Sequence, residues 1–224
     1  DADGCQVTET LQLTIVNPNA IIQNTKIADG CYTWPINGVT YYQTGNYTFN
    51  ETVPCPITHT LNLTINQGVK LAAKVFLAGC YSTTNGLMND DLRFKNLIPS
   101  NQSYIPFISA YAQIPPNSAL ESIPIVSPAI LSITGSKAIV DWVFLELRDP
   151  MNASVIVRTK RALLQRDGNI VSCLDGVSPV FFENTPAGNY YIVVRHRNHL
   201  GVMSANTLSL DPCLVATIDF TSLS

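Results

Sequence analysis

Long β-branched and aromatic runs are concentrated between Lys137 and Val202, as KAIVDWVFLELRDP, VIVRTKRALLQRDGNIV and AGNYYIVVRHRNHLGV. Turn signals at Asp149-Pro150, Asp167-Gly168 and Ala187-Gly188-Asn189 interrupt them, which predicts three long antiparallel strands. On the first, Ile139, Val143, Leu145 and Leu147 fall on one face and Val140, Trp142 and Phe144 on the other. Apolar side chains on both faces predict a central strand, covered on both sides. Asp141 falls on the first face among apolar neighbours, and a buried carboxylate needs a partner. Arg195 and Arg197, on the third strand, are the expected ion-pair partners.

The N-terminal part of the chain carries a repeat. Residues 5–15, CQVTETLQLTI, recur as CPITHTLNLTI at residues 55–65, displaced by 50 positions. Leu11, Leu13 and Ile15 alternate with Gln12 and Thr14, the pattern of a half-buried strand. The organisation read from this is a partial repeat over 1–16, a small Ig-like or β-meander repeat over 17–66 and a larger β-sandwich-like domain over 67–224. The apolar face of the first segment needs a cover, from residues 21–66, from the C-terminal domain or from another subunit. The last choice makes it an assembly strand.

Within the full repeat, DGCYTWPINGVTYYQTGNYTF places Asn37-Gly38 and Thr44-Gly45-Asn46 turns between short aromatic strands. Cys31 and Cys55 bracket these hairpins and are the pair expected to be joined, since so small a core is marginal without a crosslink. Trp34, Tyr41, Tyr42 and Tyr47 read mainly as packing, with Trp34 and Tyr42 the candidates for stacking on a glycan. Fold class follows: all-β, with a small disulfide-stapled β repeat followed by a larger antiparallel β-sandwich-like domain.

Charged residues make up 13% of the 224 residues against 46% hydrophobic, and the formal charge is -3. Such a balance offers no electrostatic footprint for nucleic acid or an anionic membrane. The Thr-rich and Asn-rich polar surface suits a protein that packs against copies of itself or against neutral glycans. Apolar runs are too short for a membrane span, so no membrane insertion is expected, and any export signal is expected to be removed or to lie outside this chain. Six cysteines, Cys5, Cys31, Cys55, Cys80, Cys173 and Cys213, are all disulfide candidates and favour an oxidising compartment.

No nucleophile elbow, HExxH pair, phosphate loop or dinucleotide fingerprint is present, so neither a catalytic residue nor a cofactor is expected. Asp90 and Asp91, with Asp149, Asp167 and Asp175, are turn carboxylates without EF-hand spacing. RHRNHLG combines Arg forks with His and Asn, chemistry suited to a carboxylate or a sugar, and makes His199 a further candidate ligand contact. On a continuing strand His196 and His199 face opposite ways, so no metal site is expected. The Pro-rich stretch IPSNQSYIPFISAYAQIPPNSALESIP predicts a meandering connection with edge strands.

The segment GCYTWPINGVTYYQTGNYTF with CPITHTLNLTIN resembles the Cys-Tyr-Thr-Trp repeats of very large surface and gliding-associated proteins of Bacteroidetes. Residues 69–210, with LAGCY, GLMNDDLR, ITGSKAIVDWVFLELRD, ALLQRDG, DGVSPVFF and AGNYYIVVRHRNHLGVM, resemble a module near the C-terminal ends of secreted Bacteroidetes proteins of hemagglutinin-like or adhesin-like kind. The resemblance implies an extracellular or cell-surface protein exported by the type IX route. It brings no catalytic mechanism. The expected function is a structural protein that assembles into a surface fibre or matrix as a homo-oligomer or polymer, with a glycan-binding adhesin module as the alternative.

Overall fold

The computed structural model describes residues 20–51, 56–101 and 125–221. The expected assembly strand with Leu11, Leu13 and Ile15, the cysteines Cys5 and Cys55, and most of the Pro-rich stretch lie outside the described residues.

β1 (Ala20–Asp29) runs into a short ribbon of β2 (Tyr32–Thr33) and β3 (Thr40–Tyr41), followed by β4 (Gly45–Glu51) and β5 (Ile57–Asn66). The ribbon turns at Asn37-Gly38, where Gly38 adopts φ +70° and the Asn37 side chain accepts the Val39 N–H at 3.0 Å. β5 is the middle strand of a three-stranded sheet, antiparallel to β4 and parallel to β1 from Ala20↔Ile57 to Asp29↔Asn66. Leu61, Leu63 and Ile65 point inward onto Trp34, Tyr41, Tyr47 and Phe49, while Asn62, Thr64 and Asn66 face out. The alternation read in the sequence is thus the division between a small core and solvent.

β6 (Gly68–Lys74) follows after one residue, then the ribbon β7 (Tyr81–Ser82) and β8 (Leu87–Met88) and a one-turn helix at Asp91–Phe94. Beyond Ile125 come β9 (Ile139–Arg148), β10 (Ile156–Gln165), β11 (Asn169–Val171), β12 (Val180–Glu183), β13 (Gly188–His196), β14 (His199–Met203), β15 (Leu208–Leu210) and β16 (Val215–Asp219). They form one sheet ordered β12-β6-β11-β10-β9-β13-β14, with β15 on β13 and β16 parallel to β6. The fold is all-β, largely antiparallel and disulfide-linked. β9 lies between β10 and β13 and is buried from Ile139 to Leu147, as its two apolar faces require.

One detail of β9 differs from the sequence reading. The pairing with β10 shifts between Leu164↔Asp141 and Gln165↔Ile139, a β-bulge. Val140 therefore joins Val143, Leu145 and Leu147 in the main core, and Ile139 joins Trp142 in a second cluster with Ile130, Leu163 and Val171.

The expected Cys31–Cys55 bond is corrected: Cys31 is bonded to Cys213, across 182 positions. Nearness in sequence favoured Cys55, but the chain returns between β15 and β16 and lays Pro212 directly over Gly30. A Cβ on Gly30 would sit 1.8 Å from the Pro212 carbonyl oxygen, and the residue has φ +80°, so glycine is required where the two segments meet. The bond ties the small sheet to the last strand of the large one. A second device is shared by both sheets. Gly45-Asn46-Tyr47 opens β4 and Gly188-Asn189-Tyr190 opens β13, and each tyrosine hydroxyl donates to a carbonyl four residues upstream, Gln43 at 2.8 Å and Pro186 at 3.0 Å. Such tyrosine corners fix the direction in which a chain enters a strand.

Candidate functional site

Asp141 is 1% exposed at the bulge of β9. Its Oδ1 accepts the Trp142 N–H at 2.8 Å, and its Oδ2 accepts from His196 Nε2 at 3.0 Å and Arg197 Nε at 2.9 Å. Burial pushes this carboxyl up, but the bonds from His196 and Trp142 and the Arg197 guanidinium outweigh it and hold the group below the ordinary carboxylate range. Of the two expected partners the structure selects Arg197. Arg195 instead pairs with Glu146, whose Oε1 lies 2.5 Å from Arg195 Nε and whose Oε2 lies 2.6 Å from Arg148 Nη2. Glu146 is fully buried on the opposite side of β9.

The two histidines do not face opposite ways. β13 ends at His196, Arg197 and Asn198 form the turn, and β14 starts at His199, so His196 and His199 are cross-strand partners. Their Nδ1 atoms are 2.9 Å apart, and His196 Nδ1 also receives the Asn198 N–H at 3.2 Å. A backbone amide only donates, so His196 Nδ1 carries a lone pair and its proton sits on Nε2, toward Asp141. His199 must then donate through Nδ1. In its neutral form this leaves the His199 Nε2 lone pair free for another partner. Burial, followed by the neighbouring His196, lowers the His199 pKa below its ordinary value.

This relay of Asp141, His196 and His199 forms one wall of a pocket of about 260 Å³, with Cys80, Asn89 and Asp91 around it. Burial pushes the Cys80 thiol up, and the Asp141 and Asp91 carboxylates push it further, so the thiol stays protonated. On the other side of the same histidines lies an apolar groove of about 390 Å³ lined by Phe76, Leu200, Val202 and Phe220. Elsewhere a polar cleft of about 550 Å³ lies where the two sheets meet, between Asp29, Gln67, Lys160, Asp175, Phe181 and Glu183.

The other candidates divide. Trp34, 2% exposed, is core and offers no stacking face, whereas Tyr42 is 56% exposed. Cys80 is a half-buried thiol without a disulfide partner, and Cys173 is buried with its Sγ 3.9 Å from the Arg161 carbonyl. Asp149 and Asp175 accept backbone N–H groups of their own turns, Asp167 binds Lys137 and Asn169, and Asp90 binds Arg93. Among the described residues no group of three or more His, Cys, Asp or Glu side chains is placed to hold a metal ion, and no helix is long and apolar enough to cross a membrane.

The small sheet supplies a candidate of another kind. β1 stands at its end, and among the described residues no strand pairs with its outer edge. Ile21 and Ile27 on this strand are each 64% exposed. Sequence reading missed Glu146, the His196 link and this edge. An acidic residue set inside the apolar run from Trp142 to Leu147 was the available signal for Glu146. Comparison with protein-family models, with curated proteins and with solved structures finds no match for this chain.

Proposed function

We propose that this chain is an extracellular structural protein that assembles by strand addition at the small sheet. The observation that carries the reading is the pairing of β5. That strand binds β1 in parallel over ten positions and β4 antiparallel over seven. Residues 7–15 repeat the sequence of residues 57–65, with Leu11, Leu13 and Ile15 standing where β5 has Leu61, Leu63 and Ile65. A second copy of a strand already suited to these neighbours fits the outer edge of β1 in another molecule. Main-chain hydrogen bonds would set the direction of joining, and a head-to-tail contact that does not close grows into a filament. An extracellular or cell-surface setting is supported by the Cys31–Cys213 disulfide and by the resemblance to Bacteroidetes surface proteins. A sandwich-like wrapping of the large sheet belongs to the same reading.

Deletion of residues 1–16 tests this by size-exclusion chromatography and negative-stain microscopy. The truncated chain is expected to stay folded and monomeric where the intact one forms extended oligomers. Unchanged assembly by the truncated chain would refute the reading. The polar cleft favours a second reading, glycan binding: its size suits a sugar, and Phe181 stands among amide, hydroxyl and carboxylate groups. Glycan-array binding by the monomeric truncated chain, with no assembly by the intact one, would select it.

A further inference from the structure

The chain builds one arrangement twice. Among the described residues only two strand pairs are parallel, and each joins the first strand of its sheet to the last in sequence, β1 to β5 and β6 to β16. Gly30-Cys31-Tyr32 follows β1 and Gly79-Cys80-Tyr81 follows β6, and in each the tyrosine opens a two-residue ribbon strand, paired as Tyr32↔Tyr41 and Tyr81↔Met88. Gly-Asn-Tyr opens β4 and β13 with a tyrosine corner. Pro54-Cys55 and Pro212-Cys213 each end two residues before the last strand, which starts at Ile57 or Val215.

The contact between the two sheets is made from these shared features. β6 starts where β1 finishes, with Lys70 Nζ donating to the Asp29 carbonyl at 2.9 Å. Because β16 runs parallel to β6, Pro212-Cys213 enters at this same end, so Pro212 lies on Gly30 and Cys213 is bonded to Cys31. The Gly-Cys of one sheet is thus joined to the Pro-Cys of the next. One Gly-Cys is left over, Gly79-Cys80, where the large sheet finishes. One Pro-Cys is left over, Pro54-Cys55, two residues ahead of Ile57, which pairs with Ala20 where the small sheet begins.

We propose that the end of the large sheet where β6 and β16 finish is a docking face for the small sheet of a second copy, with Cys80 bonded to Cys55 of that copy as Cys31 is bonded to Cys213. Cys80 is half-buried and carries no disulfide. A Cβ on Gly79 would meet only His199 Nε2, at 3.6 Å, which lets a proline close on Gly79 as Pro212 closes on Gly30. The face around it is apolar: the groove of Phe76, Leu200, Val202 and Phe220 shares Leu77, His196 and His199 with the Cys80 pocket, and Leu200 is fully exposed. Cys5 also precedes a copy of β5, but it follows Gly4 and lacks the proline. Asp91 and Asp141 hold Cys80 in its thiol form, and a thiol of raised pKa is a poor leaving group, so a bond made there is slow to be reduced.

Forming the bond removes two protons and two electrons from the thiols, and a small disulfide is the oxidant that takes them. Cys55 displaces one of its sulfurs, Cys80 then displaces the other from Cys55, and the oxidant leaves as two thiols. Repeated from copy to copy, the joint gives an end-to-end polymer. It is separate from strand addition at the outer edge of β1, and it needs an oxidant where strand addition needs none.

The test treats an equal mixture of ¹⁴N and ¹⁵N full chains with oxidised glutathione, blocks remaining thiols and maps the non-reduced digest. A Cys80–Cys55 crosslink is expected, with mixed-isotope pairs as abundant as same-isotope ones and the Cys31–Cys213 bond retained. Leu200→Asp changes a fully exposed side chain and is expected to lower the crosslink yield about tenfold, the factor that goes with leaving one leucine uncovered. Far-ultraviolet circular dichroism reports its folding. A Cys5–Cys55 bond, a Cys80 that stays unbonded or bonds another cysteine, or a Cys80–Cys55 bond found only in single-isotope pairs would overturn the proposal. So would a Leu200→Asp yield equal to that of the intact chain. A crosslink in a chain that does not assemble without oxidant would keep this joint and remove strand addition; assembly without oxidant by a chain that never forms the crosslink would do the reverse.

Discussion

Asp141 and Glu146 show how charges are carried inside a sheet. Each sits on the central strand with almost no exposure; Asp141 takes its counter-charge from Arg197 in the turn after β13, and Glu146 from Arg195 on β13 and Arg148 on β9 itself. Asp141→Ala is expected to destabilise the chain by about 3 kcal/mol, the low end for breaking a buried pair, because the Arg197 side chain is 32% exposed and can turn to water. Urea denaturation measures this, and a loss under about 1 kcal/mol would contradict the structural role. The pH dependence has a definite sign. His199 and Asp141 both have lowered pKa values in the fold, so both favour folding when deprotonated and both contributions fade on acidification. Stability is expected to fall first as pH drops below the ordinary histidine value of 6.5, and again below the ordinary aspartate value of 3.8. Denaturant midpoints measured from pH 8 to pH 3 would show the two declines; a midpoint that rises on passing from pH 7 to pH 5 would contradict the assignment of His199.

At the scale of elements, β9 and β5 were legible because side-chain burial follows a period of two. The bulge at Val140 was not, since a strand apolar on both faces keeps the same hydrophobic pattern when one residue is inserted in the pairing. Nor was the turn at Arg197-Asn198, which lacks the Asn-Gly or Asp-Gly signature of a tight hairpin and so read as continuing strand. The meeting of His196 and His199 depends on that turn, and the candidate site was therefore only half visible, as Asp141, Arg197 and His199 without the relay that joins them. For β1 the exposed Ile21 and Ile27 give a test of edge function. Replacing both by Lys is expected to leave the melting temperature nearly unchanged, as surface changes within about 0.5 kcal/mol do. Charge along an open edge opposes strand addition, so sedimentation should show oligomers lost. Oligomers that persist with unchanged size would show that β1 is not the joining edge.

For the whole molecule the Cys31–Cys213 bond is the long-range constraint. Spacing could not reveal it, because the cysteines meet only after the chain has traversed every strand between them. A crosslink closing so long a loop is expected to contribute about 4 kcal/mol. Cys213→Ser should lower the denaturation midpoint accordingly, and an unchanged midpoint would mean that the two sheets hold together without it. The central claim is that residues 7–15 of one molecule pair with the small sheet of another. Photo-crosslinking tests it most directly, with benzoylphenylalanine in place of Leu11 and an equal mixture of ¹⁴N and ¹⁵N chains assembled before irradiation. Adducts on residues 20–29 are expected, with mixed-isotope pairs as abundant as same-isotope ones. Adducts found only within single-isotope chains would place the strand on its own molecule and contradict assembly by strand exchange.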